Sequence, residues 1–83
     1  MTIIYFAWVR EQVGTDSETL ILPANISTVS EALDWLAMRS PGHGIALADR
    51  SRIRVALDDE FASPEARLGA AREMAVFPPV TGG

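Results

Sequence analysis

The hydrophobic pattern at the start of the chain predicts two neighbouring β-strands. Residues 2–9 are rich in β-branched and aromatic types, which favours a strand with apolar side chains on both faces. Gly14-Thr15-Asp16 has turn chemistry, and residues 18–22 form a second apolar run that Pro23 closes. Because a short glycine-containing segment separates the two runs, the pattern predicts a β-hairpin.

A helix is predicted in the middle of the chain, beginning after Thr28. Thr28 and Glu31 have the spacing of a capping box, in which each side chain accepts a hydrogen bond from the other residue's backbone N–H. Ser40-Pro41-Gly42 predicts the end of this helix, and residues 43–51 are interpreted as a loop, with a helical turn at 46–49 as an alternative. The apolar residues after the box recur at helical spacing and predict one buried stripe: Val29, Ala32, Leu33 and Leu36.

The last third of the chain predicts three more strands. Residues 52–57 alternate between apolar and polar types, which favours a strand with one buried face. Asp58-Asp59-Glu60 is a predicted turn, after which Phe61 opens a short edge strand. Glu73–Phe77 is the final predicted strand, and Pro78-Pro79 ends the sheet because neither proline can donate a backbone hydrogen bond.

This order of elements predicts an α+β fold. The simplest arrangement places the first and last strands side by side and parallel, with the helix packed across them. That arrangement is the β-grasp, or ubiquitin-like, fold: a mixed four- to five-stranded sheet with one main helix across one face and an extended C-terminal tail. We expect one domain over residues 1–77 and a tail over residues 78–83.

The composition restricts the expected partners and location. The net charge is −4, which argues against binding of nucleic acid, because such binding needs a stripe of basic residues. The same charge favours protein partners with basic surfaces. The absence of cysteine fits a reducing cytoplasm, and no apolar segment is long enough to span a membrane. We therefore expect a cytoplasmic location. All seven basic residues are arginine, so the chain has no lysine amine to accept an acyl group.

A conventional active site is not predicted. His43 is the one histidine, and its position between two glycines favours a solvated loop residue. Without a cysteine partner it gives neither a metal cluster nor a catalytic triad, so no metal site and no bound cofactor are expected. Asp58-Asp59-Glu60 is interpreted as a solvated turn, while Trp8 and Trp35 are expected to anchor the core or an interface.

Gly82-Gly83 at the C-terminus is the candidate for chemistry. Two residues without side chains can enter a channel that excludes any other dipeptide, and Pro78-Pro79 stiffens the chain before them. A carboxylate must first be activated, most commonly as an acyl-adenylate made from ATP. Sulfide delivered to that acyl group gives a thiocarboxylate, whereas an amine gives an isopeptide bond. An inert, flexible end is the alternative interpretation of the two glycines.

Several segments resemble the small, sulfur-carrying subunits of molybdopterin synthase. The most specific one is the terminal run Phe77-Pro78-Pro79-Val80-Thr81-Gly82-Gly83. The chain departs from that family's pattern at Asp58, where the family often has Asn, and at Ala71-Arg72, where it often has Gly-Asp. Weaker matches support the resemblance in the N-terminal half: Tyr5-Phe6-Ala7, Val9-Arg10-Glu11, Gly14 and Thr28-Val29.

The resemblance implies a sulfur carrier without catalytic side chains of its own. In that family, an adenylating enzyme related to ubiquitin-activating enzymes uses ATP to activate the terminal glycine, which becomes a thiocarboxylate with sulfur from a donor enzyme. The thiocarboxylate converts a cyclic pyranopterin phosphate into the dithiolene of molybdopterin. The large synthase subunit binds the tail in a heterotetramer and supplies the catalytic groups.

The match also implies roles for individual residues of the tail. Gly83 would carry the sulfur, and Gly82 would permit insertion into the pocket of the large subunit. The residues implied to contact that subunit are Phe77, Pro78, Pro79, Val80 and Thr81.

Three alternatives stay open from the sequence. A related sulfur carrier for thiamine, cysteine or tRNA thiolation would share the fold and the two glycines, so only Phe77-Pro78-Pro79-Val80 discriminates against it. A ubiquitin-like modifier would form isopeptide bonds to lysines of its targets. An interaction domain with an inert tail would lose nothing on deletion of Gly83.

Overall fold

The computed structural model describes residues 1–79, which form a five-stranded sheet and three α-helices. The strands are β1 (Thr2–Tyr5), β2 (Ser17–Thr19), β3 (Arg54–Leu57), β4 (Glu60–Ala62) and β5 (Glu73–Phe77). The helices are α1 (Ala7–Val13), α2 (Val29–Ala37) and α3 (Pro41–Leu47), and a short 3-10 helix spans Arg50–Arg52.

β5 lies at the centre of the sheet, whose strand order is β2-β1-β5-β3-β4. β1 and β5 are parallel, with Ile3 opposite Met74, and the other pairs are antiparallel. This parallel pairing of the first and last strands confirms the predicted β-grasp fold. It also determines where the chain leaves the fold, because Phe77 ends the central strand.

One hydrophobic core joins the sheet to the helices. The predicted capping box is present at the start of α2, where the Thr28 hydroxyl accepts the Glu31 N–H at 3.2 Å and the Glu31 carboxylate accepts the Thr28 N–H at 3.1 Å. The predicted apolar stripe of α2 is buried. The largest fully buried side chains come from the strands and all three helices: Tyr5, Ile3, Leu36, Leu47, Met74, Val9, Val29 and Val76.

The predicted strand over residues 2–9 is wrong in its second half, where α1 stands. Ala7 has a φ of 53°, which breaks the extended chain directly after β1. The helix that follows buries Val9 against the core. Gly14 then ends α1 with a φ of 96°, a left-handed conformation that glycine adopts without steric cost.

The predicted hairpin has the correct pairing and the wrong connection. β1 and β2 pair antiparallel, with Thr2 opposite Thr19, but α1 connects them in place of a short turn. β2 also ends at Thr19, whereas the predicted strand covered residues 18–22. Ile21 is 94% exposed, whereas Leu20 and Leu22 on either side of it pack against the core.

α2 ends at Ala37, before the predicted stop at Ser40-Pro41-Gly42, and the same segment also begins a further helix, α3. The Ser40 side chain accepts the backbone N–H of His43 at 3.1 Å, which caps the new helix. Pro41 occupies the first turn, where its missing N–H is not needed. As a result, α3 replaces much of the loop predicted over residues 43–51.

The three strands predicted in the last third of the chain are present. β5 has the predicted bounds, and Phe61 lies in the predicted edge strand, β4. β3 begins at Arg54 instead of residue 52, because Arg50–Arg52 forms the 3-10 helix that leads into it.

Candidate functional site

The chain leaves the sheet at the end of its central strand. Phe77 is the last residue of β5 and pairs with Arg54 of β3. Phe77, Pro78 and Pro79 are all half-buried, so these three predicted site residues lie together at one end of the sheet. The other four predicted site residues lie outside the described range: Val80, Thr81, Gly82 and Gly83.

Two exposed aromatic residues and the half-buried Phe77 lie near the point where β5 ends. The rings of Phe61 and Phe77 have centroids 5.9 Å apart, and Phe61 is 83% exposed. Phe6 is exposed as well, and its N–H donates to the Val76 carbonyl oxygen, which places it beside the same end of β5. We call Phe6, Phe61 and Phe77 the root patch. A cluster of exposed large apolar side chains is typical of a surface that binds another protein.

A shallow cavity of about 280 Å³ adjoins the root patch. It is lined by Phe61 and Phe77, together with Arg54, Val55 and Ala62. Small-molecule sites are typically roughly 300–1,000 Å³ and enclose most of their ligand. This cavity lies at the lower end of that range and is open to solvent, so it suits an apolar side chain of a partner protein.

His43 is buried, and the prediction of a solvated loop residue is wrong. Its Nε2 atom lies 2.7 Å from the Glu18 carboxylate of β2, and its Nδ1 atom lies 2.7 Å from the Ser40 hydroxyl. The Tyr5 hydroxyl donates to the same Glu18 oxygen at 2.7 Å. These hydrogen bonds link α3 to β1 and β2. We call Tyr5, Glu18, Ser40 and His43 the buried polar network.

The electrostatics of the buried polar network favour an ionised Glu18. Burial alone would raise the pKa of Glu18, but the hydrogen bonds from His43 and Tyr5 outweigh it and lower that pKa. Burial raises the pKa of Tyr5, and the hydrogen bond to Glu18 raises it further. Because a carboxylate only accepts hydrogen bonds, both His43 Nε2 and the Tyr5 hydroxyl donate to it. The network thus stabilises the fold, with the Ser40 hydroxyl also serving as the cap of α3.

The acidic turn after β3 has a structural role that sequence reasoning missed. Asp58 has a φ of 46°, and its carboxylate accepts the backbone N–H groups of Arg72 and Glu73, each at 3.0 Å. These bonds connect the end of β3 to the start of β5. Asn and Asp are the residues that tolerate positive φ best after glycine, so Asp58 suits this position.

The described residues give no sign of a metal centre. Within residues 1–79, no group of three or more His, Cys, Asp or Glu side chains is placed to hold a metal ion. In the same range, no helix has the length and apolar character needed to cross a membrane.

The ThiS family model matches residues 3–83 of this sequence. This chain belongs to the ThiS family. The matched range includes the root patch and the residues beyond Pro79 that the structure does not describe.

Individual relatives match this ThiS-family chain over nearly its whole length. The molybdopterin synthase sulfur carrier subunit of Escherichia coli (strain K12) is 36% identical over 98% of this chain and 96% of that protein. The subunit of the same name from Arabidopsis thaliana is 33% identical over 98% of this chain and 80% of that protein. Among solved structures, small archaeal modifier protein 1 of Haloferax volcanii is 29% identical with a TM-score of 0.73, over 96% of this chain and 97% of that one.

Proposed function

We propose that this ThiS-family protein is the sulfur carrier of a molybdopterin synthase. The observation that carries the proposal is the 36% identity to the sulfur carrier subunit of Escherichia coli, which extends over 98% of this chain. The root patch, at the point where the chain leaves the sheet, supports it by offering an apolar surface to a partner protein. The proposed partner is the large synthase subunit, in a cytoplasmic heterotetramer.

In the proposed chemistry, Gly83 is the only residue of this chain that reacts. Its carboxylate attacks the α-phosphate of ATP on an adenylating enzyme, which releases pyrophosphate and leaves an acyl-adenylate. Sulfide delivered by a donor enzyme displaces AMP and gives the thiocarboxylate. Its sulfur then displaces an oxygen substituent from a carbon of the cyclic pyranopterin phosphate, and hydrolysis of the acyl–sulfur bond leaves the sulfur on the pterin and returns the carboxylate. Two such transfers make the dithiolene of molybdopterin.

The residues before Gly83 have positioning roles in this proposal. Gly82 presents no side chain to the walls of a partner channel, and Pro78-Pro79 lowers the ordering cost of insertion because the chain is already stiff. Val80 and Thr81 would contact the large subunit within that channel. Phe77 would contact it at the mouth, where its ring already packs against Phe61.

The proposal is tested by reconstituting pterin sulfuration from this protein, its adenylating enzyme, a sulfur donor and the large subunit. We expect Phe61→Ala to weaken the complex with the large subunit more than it weakens adenylation, because Phe61 belongs to the root patch that would contact that subunit. The variant should keep its fold, since Phe61 is 83% exposed. Ile21→Ala is the matched control, since Ile21 is also an exposed apolar residue but lies beyond β2. No dithiolene from the wild-type mixture would refute the proposed function.

A ubiquitin-like modifier is the second candidate. The 29% identity and TM-score of 0.73 to small archaeal modifier protein 1 favour it over the remaining alternatives. As a modifier, the protein would form isopeptide bonds between Gly83 and lysines of target proteins. Peptides branched at lysine and carrying its C-terminal residues, recovered from cells, would support this candidate. A sulfur carrier for another pathway would form the thiocarboxylate but leave the pyranopterin unchanged.

A further inference from the structure

Ala7 has a left-handed backbone conformation, which is unfavourable for alanine. Its φ is 53°, a value at which the Cβ of any residue other than glycine crowds the backbone. Gly69 has almost the same φ, 54°, and pays no such steric cost because it lacks a Cβ. The chain therefore has glycine at one position of this kind and alanine at another, and the alanine is the one that needs an explanation.

The other non-glycine residues with positive φ have side chains that suit this conformation. They are Asp58 and Asp59, with φ values of 46° and 70°, and aspartate is one of the few residue types that tolerate the left-handed region. Asp58 also uses its carboxylate to accept the N–H groups of Arg72 and Glu73. The methyl group of Ala7 can accept no hydrogen bond, so nothing in its own side chain compensates for the strain.

Contacts on both sides of Ala7 impose its conformation. The Phe6 N–H donates to the Val76 carbonyl oxygen at 3.1 Å, which holds Phe6 against β5. Val9 is fully buried, so the chain must turn at Ala7 to bring α1 back onto the core. The Phe6 carbonyl oxygen closes this turn by accepting the N–H groups of Val9 and Arg10, at 3.1 and 3.3 Å. None of these contacts uses the Ala7 side chain, so glycine would form them equally well.

The Ala7 methyl group also contributes nothing to the interior of the domain. Ala7 is exposed and takes no part in the hydrophobic core. It directly follows Phe6, and consecutive Cα atoms are about 3.8 Å apart, so Ala7 borders the root patch. Backbone strain that the surrounding structure maintains is typical of functional sites. The use of this methyl group therefore lies outside the domain, in a partner that covers the root patch.

We propose that Ala7 is a contact residue for the large synthase subunit, to which its methyl group adds apolar surface beside Phe6. This inference rests on the proposed function, because that subunit is the partner that would take up the residues after Phe77. Lasting interfaces between subunits are more apolar than transient ones, which favours the large subunit over the adenylating enzyme as the occupant of this surface. Ala7 thus destabilises the free protein and stabilises the complex.

The test measures stability and binding separately in three variants of the full chain. Ala7→Gly relieves the strain and removes the methyl group. Ala7→Asn keeps a residue that tolerates positive φ but places a polar group at the contact. Ala48→Gly is the matched control, since Ala48 is also an exposed alanine but has an ordinary φ of −66° where α3 ends. For each variant, circular dichroism gives Tm, calorimetric titration gives the Kd for the large subunit, and kinetics with the adenylating enzyme give the KM for adenylation.

We expect stability and affinity to change in opposite directions at Ala7. Ala7→Gly should leave Tm unchanged or raise it, whereas Ala48→Gly should lower Tm by at least about 2 °C, because glycine loses more conformational entropy on folding. The Kd for the large subunit should rise about fourfold in Ala7→Gly, the effect of one buried methyl group, and about tenfold or more in Ala7→Asn. Ala48→Gly should leave that Kd unchanged, and the KM for adenylation should be unchanged in all three variants.

Three results would overturn the inference while the proposed function stands. Both Ala7 variants could bind the large subunit with wild-type affinity. Ala7→Gly could lower Tm as much as Ala48→Gly, which would mean that the alanine serves α1 itself. The loss could be confined to the KM for adenylation, which would make the adenylating enzyme the occupant. Failure of the proposed function is a different result, because the wild-type protein itself would then not bind the large subunit, and the inference would fall with it.

Discussion

Replacing Glu18 with alanine tests whether the buried polar network stabilises the fold. One Glu18 oxygen accepts hydrogen bonds from His43 Nε2 and from the Tyr5 hydroxyl, both at 2.7 Å. Tyr5 is 1% exposed and His43 is 6% exposed, so Glu18→Ala leaves two buried donors without their acceptor.

The expected loss follows from the number of unsatisfied donors. Each buried donor without a partner costs about 1–3 kcal/mol, and water that enters at the partly exposed position of Glu18 recovers some of this. We therefore expect the free energy of unfolding to fall by roughly 2–4 kcal/mol. In a domain of this size, each kcal/mol lowers Tm by about 4–8 °C, so a fall of at least about 8 °C is expected.

Thermal and urea unfolding, followed by circular dichroism, measure the loss. The control is Glu11→Ala, which removes an exposed carboxylate from α1. A variant with Glu18→Gln keeps one acceptor oxygen, so its free energy of unfolding should lie between those of the wild type and Glu18→Ala. If Glu18→Ala and Glu11→Ala differ by less than about 0.5 kcal/mol, the network does not stabilise the fold and this reasoning is refuted.

Three further outcomes are expected. Because the folded state lowers the pKa of Glu18, its stabilising contribution is complete above the unfolded pKa of about 4.3 and is lost as the pH falls through the lower folded value. Tm should therefore fall further with acid in the wild type than in Glu18→Ala, which keeps the lowered pKa values of Glu31 and Asp49. Gly42→Ala should lower the free energy of unfolding by about 1–3 kcal/mol in urea titrations, because the new Cβ would overlap the Gln12 carbonyl oxygen. Deleting Gly82-Gly83 should change Tm by less than about 2 °C and abolish thiocarboxylate formation; a large fall in Tm would contradict the assignment of these residues to chemistry alone.

Elements whose signals are local were predictable from the sequence. The capping box at Thr28 depends on residues three positions apart, and it is present as predicted. β5 has its predicted bounds because Pro78-Pro79 cannot continue the hydrogen bonding of the sheet. The β-grasp fold followed from the order of these elements.

Elements whose cause lies in tertiary contacts were not predictable. The composition of residues 2–9 favours a strand throughout, yet α1 forms where its C-terminal end packs closely against Gly42 of α3. His43 looked solvated because its partner, Glu18, is 25 positions away in the chain. Ser40-Pro41 is consistent with both the end and the beginning of a helix, and only the packing of α3 decides between them.

The candidate site likewise contains residues that were predicted from the sequence and residues that only the fold brings together. Phe77 and the two prolines were identified from the terminal motif, whereas Phe6 and Phe61 join the root patch only through the pairing of β1, β3 and β4 around β5. The expectation of basic partner surfaces from net charge stays a prediction. Net charge is a sum over the chain and carries no information on where charges lie, whereas the strand register places Arg54 opposite Phe77.

The most direct test of the proposed function is the intact mass of the protein before and after incubation with ATP, its adenylating enzyme and a sulfur donor. The untreated mass first establishes that Gly83 carries the terminal carboxylate. We expect a gain in mass equal to the exchange of one oxygen atom for sulfur, located at Gly83 by fragmentation. An unchanged mass in the presence of an enzyme that activates a known carrier would contradict the proposed function.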